Sequence, residues 1–477
     1  MKKLIAVVLL IIFLFACGDT NEPADEVKSN DTETTEASIK PILPATRYDG
    51  KKFTIAYLYW ALYNDNILAE NETGDTTNDA VYKRQLAVEE ETGIKLDMID
   101  LGGISDTYIK VKASVMAGDD EYQLVLTHCV GSVVEMVMDK LICSWLEVPN
   151  VDLAKPYWKQ NANKTFSIAG VQLYAVSDLI RSDPNALLFN KELITDYGLP
   201  NPYDLVNDGK WTWDKLIEIS GVVSVDLNGD GIMDTNDRYG YAGNLGWEMG
   251  SIPYSCNQFI IEVKPEGPEF ICNTEKMVSI IDKMYDLLYV GDRAYTWPYS
   301  RAFDPNVGGT PPVDFGGGHA LFFQLPLTSI VNFRATEVDF GILPFPKYDE
   351  KQEKYLSLDW CGLMCVPVTA NVEMVGHVTE LLSYYSVIYT VPAYYDTLLT
   401  SKISRDNESQ AMLNIIYDNL VYDYALNFYG NSSNVFYSIV NLLTAKSRDF
   451  TSYYVKNYEK DHKHYQDIYE AILDYNN

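Results

Sequence analysis

Histidine is scarce: five in 477 residues, none grouped with cysteines at the spacing a zinc site needs. Basic residues are outnumbered, 37 Lys and Arg against 67 Asp and Glu, and they form no cluster. A formal charge of -30 without a basic patch argues against a nucleic-acid partner, because phosphate backbones are bound by grouped Lys and Arg. Neither G-x-S-x-G nor H-E-x-x-H occurs, and the glycine run at 316–318 is not followed by the Gly-Lys-Ser/Thr of a phosphate loop. Beyond residue 15 no stretch is apolar enough to cross a bilayer. What is present is an ordinary globular balance, 47% apolar and 22% charged. The length exceeds what one core supports, so two or three domains are expected. The 36 tyrosines and eight tryptophans serve either large cores or a cleft lined with stacking rings, and composition leaves both open.

The first residues read as an address. Met1-Lys2-Lys3 is a basic start, and residues 4–15 form an apolar run of 12, short for a bilayer about 30 Å thick. This is a signal peptide, residues 1–16. Leu14-Phe15-Ala16-Cys17-Gly18 resembles a lipobox, which predicts a lipid on Cys17 and an anchor on the outer face of the cell membrane. Cleavage would remove two lysines and take the charge from -30 to -32. Residues 17–46 are predicted as a disordered acidic tether, since residues 18–38 hold almost nothing apolar to bury. Six further cysteines remain: Cys129, Cys143, Cys256, Cys272, Cys361 and Cys365. Disulfides among them and small buried thiols are both open.

Strand and helix patterns alternate along the mature chain. Residues 52–59, 94–99 and 122–127 read as strands, and 78–92, 106–117 and 130–140 as helices, the first two stopped by Gly93 and Gly118. That alternation predicts a mostly parallel α/β layer whose ligands sit beyond the carboxyl ends of strands. Tyr59, Trp60, Asn64 and His128 follow such ends. A packed or capping role is the plainer reading of His128. Residues 244–257 and 294–312 read as loops, the first placing Trp247 toward a cleft, the second forming a rim with Trp297 and Tyr299.

The sharpest local chemistry is residues 226–237, DLNGDGIMDTND. Calcium takes six to eight oxygens at about 2.3–2.6 Å. Asp226, Asn228, Asp230, Asp234 and Asp237 supply side-chain oxygens at loop positions 1, 3, 5, 9 and 12, and the Ile232 carbonyl fills position 7. Gly231 stands where the turn needs positive φ. The closing Asp resembles dockerin-type loops. One such loop alone predicts a structural Ca²⁺ staple rather than a switch.

The order of elements from 166 to 216 carries a resemblance. An apolar run (167–176) precedes Asp183-Pro184, a buried-strand run (185–190) ending in Phe189-Asn190, a helix stopped by Gly198, and Lys210-Trp211-Thr212-Trp213 opening another. Further on, residues 316–324 fit F-x-x-G-x-A-x-F, and 339–346 fit Y-G-x-x-P-x-P. This pattern, over about residues 52–424, resembles bacterial extracellular solute-binding proteins of family 1, the substrate-capturing lipoproteins of ABC importers, clostridial type. The resemblance implies a two-lobed periplasmic-binding-protein-like α/β fold (type II) with crossing hinge segments. In it 167–176 crosses between lobes, 316–324 is a short helix entering a strand, and 356–369 returns. Lobe 1 would comprise 47–172 and 361–400, and lobe 2 173–360 and 401–477. It implies a carbohydrate ligand, an ABC permease partner and no catalysis. Stacking would fall to Trp60, Trp247 and Trp360, with Tyr59 and Tyr395 secondary, and polar contacts to Asn64, His128 and Gln324. A monomer is expected. A surface-anchored carbohydrate-active enzyme, a calcium-stapled adhesion lipoprotein, and a peptide or cationic ligand remain alternatives.

Overall fold

The run KFTIAY forms β1 (Lys52–Tyr57), buried along four of its six residues. The computed structural model describes residues 39–60, 63, 66–298, 313–333, 336–400, 407–430 and 432–476, with the backbone alone at 396 and 398–400. The helix Thr76–Thr92 follows β1. Asp75 caps it by accepting from the amides of Thr77 and Asn78, and Gly93 ends it at φ +73°. A Cβ on Gly93 would collide with Asp49, so this stop requires glycine on two counts. Then come β2 (Lys95–Asp100), the helix Ile104–Ala117 ended by left-handed Gly118, and β3 (Leu124–His128). The next helix is confined to Val133–Met138, and β4 is Ile142–Cys143.

The second set of strands opens with β5 (Asn185–Asn190), buried throughout as its apolar run demands. Leu187 and Phe189 enter one core cluster and Ala186 and Leu188 another, the period-two split of a strand covered on both faces. Thr212 then caps the helix Trp213–Val223 by accepting from Lys215, a cap worth about 1 kcal/mol. Both flanking indoles are buried and paired, Trp211 to the Pro344 carbonyl and Trp213 to Ser255. The remaining strands are β6 (Tyr239–Leu245), β7 (Ile261–Lys264), β8 (Gly267–Phe270), β9 (Ala294–Pro298), β10 (Ala320–Pro326), β11 (Phe340–Leu343), β12 (Ser357–Leu358), β13 (Gly362–Pro367) and β14 (Leu420–Val421).

Two five-stranded mixed sheets result, in the orders β2-β1-β3-β13-β4 and β11-β5-β10-β6-β9. In the first, β1, β2 and β3 are parallel and β13 runs against β3 and β4. In the second, β6, β9 and β10 are parallel, while β5 opposes both β10 and β11. Each sheet with its helices is one lobe of a two-lobed α/β fold. Both lobes lie within one closely packed unit, Pro41–Asn477. The larger core cluster takes in Val125 and Leu363 from the first sheet and Leu187 and Phe189 from the second.

Four local readings change. Residues 167–176 are not a regular strand. Ala169 (φ +50°) and Gly170 (φ +82°) turn the chain back, with Ile168 and Val171 exchanging both amide hydrogen bonds. Ala175 then pairs with Met364 of β13 and Ser177 with Trp158, and the chain crosses by residues 178–184 to the Pro184–Asp359 bridge. Residues 294–298 are the edge strand β9 instead of loop, paired in parallel with β6, and Trp297 is buried against Phe323. Residues 299–312 lie outside the described residues. After β6, short helical turns at Trp247–Ser251 and Ile252–Ser255 replace the expected loop. The glycines at 316–318 form a turn rather than a helix, with Asp314 accepting from the Gly317 amide.

The return passage runs from β12 through Asp359 and Trp360 into β13. It is tied to the outward crossing by the Pro184–Asp359 bridge, and the Asp183 amide donates to Asp359 Oδ1 at 2.8 Å. The helix Val372–Tyr385 packs on Thr76–Thr92, while Asn407–Asp418 packs on β11, a further change of sheet. The terminal helix Phe450–Leu473 rests on β8 and on Val133–Met138.

Candidate functional site

The carboxyl ends of β1 and β3 and the start of β13 mark one edge of the first sheet. The carboxyl ends of β6, β9 and β10 and the start of β5 mark one edge of the second. Residues 178–184 and 359–361 connect these two edges, so they border the hinge. In open α/β sheets this is where ligands bind.

On the first edge Trp60 packs edge-on against His128, ring centroids 4.0 Å apart, and against Tyr63 at 5.5 Å. Tyr59 is 54% exposed. His128 Nδ1 accepts from the Val130 amide at 3.3 Å, a capping contact in the plainer sense expected of it. Burial disfavours its charge, but the neighbouring Cys129 and Asp183 outweigh this and raise its pKa. Asn64 lies outside the described residues.

At the hinge the rings of Trp247 and Trp360 meet at 5.5 Å, joined by Tyr437 at 4.7 Å and Tyr429 at 5.6 Å from Trp247. Trp247 is half-buried; Trp360 is buried and donates its indole N–H to Ser251 Oγ at 2.8 Å. Tyr395 packs against Tyr417 at 5.3 Å. Gln324 is buried in β10, and Tyr241 donates its hydroxyl to Gln324 Oε1. Gly243, beside them on β6, leaves that space open, since a Cβ there would clash with both side chains. Thus Trp60 and His128 come together at one edge, and Trp247 and Trp360 together at the hinge.

Sequence reading named Gln324 but missed the other buried polar groups around this hinge. Gln324 Nε2, Asn185 Oδ1, both amide atoms of Asn244, Glu248 Oε2, Trp297 Nε1 and Arg181 Nε are buried with no hydrogen-bond partner among the described residues. Leaving such a group unpaired costs about 1–3 kcal/mol. The carboxyls are shifted in the same sense. Burial drives Glu248 up to about 7, assisted by the charge of Asp183. Burial also lifts Asp183 to about 6, against hydrogen bonds from Thr328, and raises Asp359. The Arg181 guanidinium lies 4.4 Å from the Tyr394 ring centre. Asp183 and Asp359 already carry structural duties: Thr328 donates twice to the first, Tyr422 once to the second.

The loop at 226–237 is built by its own carboxylates. Asp226 accepts from the amides of Gly229 and Gly231, Asn228 from Asp230, Asp230 from Ile232, Asp234 from Asn236, and Asp237 from Leu227 and Asp234. Gly231 has φ +80°, and the Val225–Arg238 bridge closes the base. The side chain of Ile232 points to solvent, as suits a residue that would offer only its carbonyl. The oxygen-rich donor set suits a hard cation, yet among the described residues no three His, Cys, Asp or Glu side chains converge as metal ligands. No helix among the described residues is long and apolar enough to cross a membrane. Cys17 lies outside them.

The sheet orders and linked crossings define a type II periplasmic-binding-protein fold. Solved structures of that class are similar to this chain. The ABC substrate-binding protein Lmo0181 from Listeria monocytogenes, in complex with cycloalternan, is 12% identical at a TM-score of 0.53, covering 89% of this chain and 99% of its own. The GacH receptor of Streptomyces glaucescens, solved unliganded and with acarbose, is 13% identical at 0.54, with coverage of 89% and 99%. The cyclic alpha-maltosyl-1,6-maltose binding protein from Arthrobacter globiformis is 12% identical at 0.56, covering 88% and 99%. No protein-family model matches the chain, and no curated protein matches it in sequence.

Proposed function

We propose that this chain is the solute-binding protein of an ABC importer, and that it captures a mono- or oligosaccharide between its lobes and delivers it to membrane permease subunits. The observation that carries this reading is the group of unpaired buried amides at Asn185, Asn244 and Gln324 with the Glu248 carboxyl, beside the paired rings of Trp247 and Trp360. A sugar presents apolar C–H faces to rings and hydroxyl edges to amides and carboxylates. The solved neighbours are binding proteins whose bound or named ligands include cycloalternan, acarbose and cyclic maltosyl-maltose, in keeping with a carbohydrate here.

In this reading the protein does no chemistry. Ligand binding shifts an open form toward a closed one, and the closed form docks on the permease. Lobe 1 is 47–172 with 361–400, and lobe 2 is 173–360 with 401–477. Cys17 carries the lipid, residues 17–46 span the gap to the body, and the protein works as a monomer on the extracellular face. Calcium at Asp226, Asn228, Asp230, Ile232, Asp234 and Asp237 staples the turn between the helix Trp213–Val223 and β6.

The deciding measurement is a thermal-shift screen over mono- and oligosaccharides, followed by calorimetry on the hits. Stoichiometric binding of an unaltered sugar supports the assignment. Turnover of a glycan during incubation, or no response to any sugar, overturns it.

A further inference from the structure

The register of β3 and β13 sets two cysteines face to face. Gly362 pairs with His128, so the next antiparallel pair outward is Cys361 with Cys129, and the Cys129 amide donates to the Cys361 carbonyl at 3.1 Å. Directly opposed residues of this hydrogen-bonded kind have Cα atoms about 5.5 Å apart, inside the window of about 4.4–6.8 Å that a disulfide spans. Both thiols are buried. His128 Nδ1 lies 3.8 Å from Cys129 Sγ. We propose that Cys129 and Cys361 are a redox-responsive pair that closes into a cross-strand disulfide at the hinge.

The surroundings divide the roles. Burial pushes the Cys129 thiol up, but the hydrogen bond from Cys361 and the charge of His128 outweigh it and bring it down to about 6. Burial holds Cys361 well above the ordinary thiol range. Burial likewise raises Cys143, Cys256, Cys272 and Cys365. Cys129 is therefore the attacking thiolate and Cys361 the resolving thiol. A small-molecule disulfide is the oxidant. Cys129 attacks one of its sulfurs, the S–S bond breaks, and one thiolate leaves. That thiolate takes the Cys361 proton, and Cys361 attacks the Cys129 sulfur, expelling the second thiolate, which picks up a proton from water. The hydrogen that Cys129 had already given up to water balances it: two protein thiols are oxidised and one small disulfide is reduced to two thiols.

The position gives the bond a consequence. Cys361 follows Trp360 of the return crossing, and Cys129 follows His128, which supports Trp60. Closing the disulfide fixes the return crossing to the end of β3 and holds both rings in place.

The test uses the full chain equilibrated with oxidised glutathione at pH 8, unfolded with an alkylating agent, and mapped by mass spectrometry. A linked Cys129–Cys361 peptide, reversed by dithiothreitol, is expected, with Tm raised by about 3 °C or more over the reduced form. In Cys361→Ser, Cys129 should be trapped as a mixed disulfide with glutathione. Full alkylation of both Cys129 and Cys361 in the wild-type chain, or a link between another pair such as Cys143 and Cys365, overturns the proposal. The wild-type map decides the matter even if the variant fails to fold.

Discussion

Trp360 and Asn185 share one hydroxyl: Ser251 Oγ accepts from the indole at 2.8 Å and from the amide at 3.0 Å. Trp360 belongs to the return crossing, Asn185 opens β5, and Ser251 ends the helical turn after β6. Three segments at the hinge are thus fastened at a single atom. Replacing Ser251 with Ala strands two buried donors, which should cost about 2–4 kcal/mol. Chemical denaturation of Ser251→Ala against wild type measures it. A loss under 0.5 kcal/mol, on the order of a surface substitution, would mean that water takes the place of the hydroxyl.

Trp247 belongs to the same cluster, half-buried against Tyr437 and Trp360. If its face stacks on the guest, Trp247→Ala weakens sugar affinity at least tenfold, about 1.4 kcal/mol. Calorimetry with the sugar found by screening gives the number, and Trp247→Phe separates stacking from bulk. Unchanged affinity in the alanine variant assigns Trp247 to packing alone.

What the sequence made legible follows how local each signal is. The strand Asn185–Asn190 was readable to its ends because an unbroken apolar run sits between Asp183-Pro184 and a helix start. Gly93 and Gly118 marked helix ends because the left-handed turn is encoded in the residue itself. The edge strand Ala294–Pro298 was not readable, since its strand character comes from pairing with β6, more than 40 residues earlier. Apart from Gln324, the polar hinge groups were hidden for the same reason. Glu248 and Asp183 are two among 67 acidic residues, and only tertiary burial distinguishes them.

Glu248 gives a pH signature. Its carboxyl is held near 7 by burial, above the ordinary glutamate value of 4.5, so between those values the folded chain binds more protons than the unfolded one. Stability then falls as pH rises through that window, and the contribution of the neutral carboxyl is gone above 7. The linkage is at most about 3 kcal/mol. Glu248→Gln, neutral at every pH, should melt higher than wild type at pH 8, with the difference vanishing near pH 4.5. Melting curves of both proteins across that range test it, and parallel curves would place the carboxyl in water.

The loop at 226–237 makes a prediction independent of sugar. Its carboxylates already turn inward on the loop amides, with Asp226 accepting from two of them, so a cation would enter an oxygen-lined turn that the backbone has shaped in advance. Binding to the folded form alone raises stability by about 2.7 kcal/mol at a hundred times Kd. Calcium added to chelator-treated protein should therefore raise Tm by several degrees, with magnesium less effective because it holds its waters and demands strict octahedral geometry. Asp226→Asn and Asp237→Asn should each abolish the response while leaving sugar affinity in place, because a staple steadies the lobe without touching the guest. Sugar affinity that falls with chelation, at a temperature where the chain stays folded, would instead couple the loop to the cleft.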